Sequence, residues 1–251
     1  VSDSAVHEAG APVRATPSFI DLRDFAADET QGIAGAASSG DAFLDDRRLL
    51  DLPKGPVTVG AVRLDPSAGR VSELGGDEYI IVVSGSFGLE TESGSLHLAA
   101  GQSAVLPQGS SFSWTTQEAT SLLFMRHEGS GPGASAPLLI DESAELSPSG
   151  APLAELLVGP TPQCRNHTDY KSESGEFMCG VWDSTPYHRR AMGYRHYELM
   201  HLLEGSVTFE DGIGRRATFN KGDIFLIEQG AHCSWLSEVQ VAKVYAIYRP
   251  A

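Results

Sequence analysis

Basic residues are scarce in this chain of 251: 18 lysines and arginines stand against 33 aspartates and glutamates, a formal net charge of −15 at pH 7. A protein that binds a phosphate backbone needs a cationic face from which counterions are released. Beyond Arg189-Arg190 and Arg215-Arg216 no basic cluster exists, so no nucleic-acid partner is expected. Long hydrophobic runs are missing too. None approaches the roughly eighteen apolar residues that a membrane helix needs, so no membrane partner is expected, although a hydrophobic fraction of 41% is ample for two cores. Cysteine is sparse: Cys164, Cys179 and Cys233 leave one thiol over in any pairing scheme and cannot staple a scaffold. With no signal-peptide pattern, a reducing cytoplasm is the expected compartment. The glycine-rich stretch Gly32 to Gly40 lacks the Gly-Lys-Ser/Thr ending of a phosphate cradle and is read as a flexible loop.

What the chain does have is β-patterning and repetition. Short runs rich in Val, Ile, Phe, Tyr and Leu alternate with turn dipeptides such as Asp211-Gly212 and Lys221-Gly222, the pattern of hairpin-connected strands. Gly55, Gly60, Glu78, Gly85 and Gly94 recur 120 positions later as Gly175, Gly180, Glu198, Gly205 and Gly214. After one inserted residue the offset becomes 121, pairing Gly101 with Gly222, Gly109 with Gly230 and Trp114 with Trp235. Two registers held over about sixty residues mark an internal duplication. The expected organisation is a flexible arm at 1–17, one β-unit at 18–130, a linker at 131–137 and a second unit at 138–251. Asp41 to Asp51 is left between one helical turn and an extended segment. Pro160 to Ser174, a polar run with Cys164, Arg165, His167 and Tyr170, is left between a cover over the second unit's mouth and an exposed connection.

The residues Glu198 to Gly205, Asp211-Gly212, Gly222-Asp223, Gly230, Trp235 and Lys243-Val-Tyr245 resemble the second half of a cupin barrel. More narrowly they resemble the subfamily whose two-barrel members include ureidoglycine aminohydrolases, which Gly180-Val-Trp182 and Thr185-Pro186 also match. The resemblance covers about 20–130, more faintly, and 140–249. It implies an all-β chain of two tandem cupin (jelly-roll, RmlC-like) β-barrels, often paired as a homodimer. The family pattern also places two histidines about six and four positions before the glutamate and a third after the later glycine. In the first copy those places hold Ser72, Leu74 and Phe112; in the second they hold Met192, Tyr194 and Cys233.

Only the second copy has the inventory for chemistry. Tyr194, His196, Glu198 and Met200 share one parity, so a single strand would present them on one face. Cys233 and His232 lie nearby with opposite parities, and one of the two is expected to face inward. Imidazole, carboxylate and thiolate suit zinc, and imidazole with carboxylate suits iron or manganese. His196, Glu198, Tyr194, Cys233 and His232 are therefore the candidate metal ligands, His196 and Glu198 the candidate catalytic pair, and Tyr194, Trp235 and Met200 the candidate substrate contacts. A metal-free pocket, in which these groups satisfy one another or hold an organic ligand, stands beside the metal site. Function is left between a small-molecule enzyme and a binding or sensing protein without catalysis. Arg189 and Arg190 are left between binding a substrate carboxylate at the rim and plain exposed arginines, and Glu78 is read as a hydrogen-bonded remnant in a filled first barrel.

Overall fold

A computed structural model describes residues 18–37, 39–129 and 131–251, so the expected arm at 1–17 lies outside the described residues. The chain is almost entirely antiparallel β-structure, as expected, arranged as two copies of one design. Each copy sets a seven-stranded sheet against a four-stranded sheet.

In the first copy the large sheet runs in the order Leu138–Leu139, Ser103–Leu106, Asp77–Ser84, Thr120–His127, Val57–Leu64, Arg47–Leu49, Ile33–Ala34. Its partner sheet holds Ser67–Val71, Phe112–Thr116, Ser86–Thr91 and Gly94–Ala99. In the second copy the large sheet runs Ile20–Asp21, Ile224–Ile227, Tyr197–Glu204, Val241–Tyr248, Phe177–Ser184, Cys164–Lys171, Ser147–Ser149, facing Tyr187–Gly193, His232–Ser237, Ser206–Glu210 and Arg216–Asn220.

The two large sheets also face each other. That is why Asp77–Ser84 and Tyr197–Glu204 each bury six residues in a row rather than alternating: one parity fills the strand's own unit and the other fills the seam. Leu199, Leu226 and Val244 meet Val59, Ile81 and Leu123 in the core between the units. Met200 and Leu202 point instead into the second unit's interior with Phe209 and Phe225. The duplicated Gly85 and Gly205 turn the chain after these strands at φ of +78° and +76°. A Cβ on Gly205 would collide with the Gln240 carbonyl, so glycine is required on both counts.

The sheets cross the expected boundaries at 18 and 138. Ile20 and Asp21 pair with Leu226 and Phe225 of the second unit, and Leu138 and Leu139 pair with Val105 and Ala104 of the first. Each copy's opening strand is thus an edge strand of the other copy. Phe19 follows its strand into the second unit's interior, packing its ring on Phe209 and Phe219 at 6.1 and 6.3 Å. Asp41 to Asp51 resolves into both of its readings: a turn of helix, Ala42–Asp45, with the Asp41 carboxylate accepting from the Phe43 N–H, followed by the strand Arg47–Leu49. Cys164 to Tyr170 belongs to a strand, Cys164–Lys171, rather than to a covering loop.

Candidate functional site

The interior of the first unit is closed by its own charges. Glu78, fully buried, receives Arg47 Nη1 and Nη2 at 2.8 Å each and Arg126 Nε at 2.7 Å. The Arg47 guanidinium lies over the rings of Phe43 and Phe124 at 4.7 and 4.2 Å. Burial alone would raise the Glu78 carboxyl, but the two guanidinium groups hold it below the usual carboxylate range. Leu74, Phe112 and Trp114 fill the remainder.

The second unit keeps a cavity of about 400 Å³, lined in part by Trp182, Tyr187, Arg189, Tyr194, His196, Glu198, Trp235, Lys243 and Tyr245. The single-face expectation for residues 194 to 200 holds for the side chains but not for the backbone. The strand Tyr187–Gly193 ends, residues 194–196 form a connection, and a new strand starts at Tyr197. The connection is pinned to the opposite turn: the Tyr194 N–H donates to the Ala231 carbonyl and the Gly230 N–H to the Tyr194 carbonyl, both at 2.8 Å. This leaves the Tyr194 and His196 rings 5.1 Å apart at the cavity wall.

Glu198 is the hub. Lys243 Nζ lies 2.8 Å from its Oε1, and His196 Nε2 lies 3.4 Å from its Oε2. Burial would raise this carboxyl too, but the Lys243 ammonium and the His196 contact overcome it and hold it well below the ordinary range. Lys243 also donates to Met200 Sδ at 3.2 Å and sits 4.7 and 5.1 Å from the ring centres of Trp182 and Trp235, a cation held between two indoles. Tyr187 stacks on Trp235 at 5.5 Å and 11°. Arg189 is buried; its Nη2 donates to the Tyr194 hydroxyl at 3.0 Å and to the Cys233 carbonyl at 3.3 Å. Burial keeps the Tyr194 hydroxyl protonated.

Of the candidate residues, Tyr194, His196, Glu198 and Trp235 come together around this cavity, and Met200 lies behind them as a partner of Lys243. Cys233 is fully buried in the wall, where burial pushes its thiol up to about 11. His232, its neighbour of opposite parity, is exposed. The five candidate ligands therefore do not converge, and among the described residues no three His, Cys, Asp or Glu side chains are grouped to hold a metal. The donor chemistry explains why. The carboxylate that would anchor a zinc, manganese or iron ion is already paired with a fixed ammonium, and the thiol is held in its neutral form. These residues do not fit a divalent metal.

Three further residues, Lys243, Tyr245 and Arg189, line the site outside the candidate set. Lys243 and Tyr245 share a parity on Val241–Tyr248, the strand beside Glu198, so the alternation of Lys243-Val-Tyr245 carried the signal. Arg189 was read as a rim or surface arginine and is in fact 5% exposed. Its parity with Tyr187, on a strand pairing with Trp235, could have placed it inside.

The comparisons with known proteins agree with this architecture. A family model described as the EutQ-like cupin domain matches residues 171–245. A protein of unknown function of the DUF861 family from Pseudomonas syringae pv. tomato is 30% identical, with a TM-score of 0.84 over 93% of this chain and 100% of that one. Sharing the fold alone are a cupin 2 conserved barrel domain protein from Leptotrichia buccalis (TM-score 0.60, 9% identity, 94% and 98% of the two chains) and the E. coli protein Ylba, also of DUF861 (0.54, 13%, 88% and 89%). No curated protein matches. The fold defines a cupin with two jelly-roll units, and the chain belongs to the DUF861 family of that superfamily.

Proposed function

We infer that the second unit binds a small organic molecule and carries out proton transfer on it without a divalent metal, with the first unit as scaffold. The observation that carries this reading is the cavity of about 400 Å³ onto which an imidazole, a carboxylate, an ammonium and several aromatic rings converge, the composition expected of a small-ligand site. His196 is the proton-transfer group, imidazole being the side chain most used for that task. Glu198 stays ionised and orients both His196 and Lys243, serving as an anchor rather than as a proton donor. The protein is taken to act in the cytoplasm as a homodimer; a monomer in sedimentation at micromolar concentration would count against the latter.

Histidine 13C NMR spectra of the whole protein, recorded with pools of small organic compounds, test the site. Binding compounds should shift the His196 resonance and leave His97 unmoved. Shifts confined to the first unit would overturn the reading. Metal analysis of protein purified without added metal should give well under one equivalent.

A second reading, binding or sensing without turnover, is favoured by one observation: Glu198 is neutralised by Lys243 at 2.8 Å. The His196→Asn variant separates the two. If the site is catalytic, the variant still binds but no longer consumes the compound; if not, no bound compound is consumed by the unsubstituted protein.

A further inference from the structure

We propose that the ligand of this cavity is a small flat carboxylate whose charge is taken by Arg189, a substrate class that rests on the small-molecule reading above. Among the described residues three lysine or arginine side chains are buried: Arg47, Arg189 and Lys243. Arg47 and Lys243 each have a glutamate oxygen at 2.8 Å. Among the described residues Arg189 has none, and its buried Nε has no hydrogen-bond partner there either. An uncompensated buried guanidinium is costly. The Tyr194 ring, 5.1 Å below it, and the two neutral acceptors of Nη2 offset only part of that cost. A carboxylate in the cavity supplies the missing negative charge, and the planar guanidinium suits its two oxygens.

The charge around the cavity points the same way. Its lining holds Arg189, Lys243 and Arg249 against the single carboxylate of Glu198, in a chain whose net charge is −15. The site is an island of positive charge in an acidic protein, which selects an anion over a cation. The partly exposed rings of Trp182 and Tyr187 give the ligand's body a flat apolar wall.

The test is a calorimetric titration of the whole protein at pH 7 with benzoate, benzamide and benzylamine, which share a ring and differ in charge. Benzoate should bind about tenfold more tightly than benzamide, the scale of one charge-assisted contact, and benzylamine should bind most weakly. Arg189→Gln should erase the preference for benzoate over benzamide. Glu198→Gln removes the only carboxylate of the lining and should tighten benzoate binding severalfold, whereas it would abolish a metal-centred site. The Glu198 variant and the probe series do not depend on how well the Arg189 variant folds. Binding of benzamide or benzylamine at least as tight as that of benzoate, or weaker benzoate binding by Glu198→Gln, overturns the carboxylate assignment and leaves the small-molecule reading standing. Failure of all three probes to bind overturns both.

Discussion

The two halves carry a glutamate at the same place in the duplicated sheet and neutralise it with different sets of cations. In the first, the cations are Arg126, on the strand Thr120–His127, and Arg47, which lies opposite Val62 on its neighbouring strand. The position 120 residues beyond Val62 is Trp182, and the residue opposite it is Asn166. In the second half the cation is Lys243, opposite Leu202; its counterpart opposite Val82 in the first half is Leu122. The outer cation, Arg47, has no charged counterpart in the second half. A long guanidinium bedded between Phe43 and Phe124 fills one interior, while the shorter Asn166 leaves room in the other, where it lines the cavity. A carboxylate by itself therefore does not make a site; the difference lies in how much volume its counter-cation occupies.

The largest expected effect comes from the closed half. Glu78→Leu strands two guanidinium groups in a dry interior and should cost about 3–5 kcal/mol, read from urea unfolding. A loss below ~1 kcal/mol would show that the first interior is wetter than described. Next comes the seam between the halves. Phe19→Ala empties a ring-sized volume in the second unit and should cost about 3 kcal/mol while the protein still unfolds in one transition; separate unfolding of the two halves would break the picture of mutual completion.

The third effect depends on pH. His201 faces away from the cavity, and burial first, then Arg23, push it from 6.5 down to about 4. Its folded value is depressed, so below pH 6.5 the unfolded chain binds a proton that the native protein refuses, and stability falls as the pH drops towards 4. At pH 4.5 the loss should be about 2 kcal/mol, and His201→Gln should remove it. The depressed carboxyls of Glu78 and Glu198 act in a lower window. Their stabilisation is present above 4.5 and is lost as the pH falls through their folded values. An acid limb unchanged in His201→Gln would refute the assignment. The smallest effect on stability, under ~1 kcal/mol for a partly exposed position, is expected from Asn166→Arg. This substitution should nonetheless plug the second cavity and abolish benzoate binding in calorimetry; retained binding would mean that volume does not distinguish the halves.

Much of this was legible in the chain. Glycines at a constant offset gave the duplication because positive-φ turns tolerate little else, and the resemblance carried by Glu198 to Gly205 and Lys243 to Tyr245 gave the superfamily. The position of His196 and Glu198 on a common wall followed from parity. What parity could not supply was the break at 194–196, which depends on the pinning of Tyr194 to Ala231 across the unit. Nor could it find the cation beside Glu198, since Lys243 is 45 residues away and becomes its neighbour only through strand pairing. Arg189 was misjudged because arginine is exposed by default; its burial follows from the cavity.

The exchange of opening strands bears on why the half with the filled interior remains in the chain. Ile20–Asp21 completes the second unit and Leu138–Leu139 completes the first, so neither copy owns all of its own sheet. After a duplication of this kind, neither copy can be shed alone, because its removal would also strip an edge from the other. Each half is held by inheritance of architecture, free to change its interior, as Phe112 against Cys233 shows, as long as it keeps offering its first strand to its neighbour.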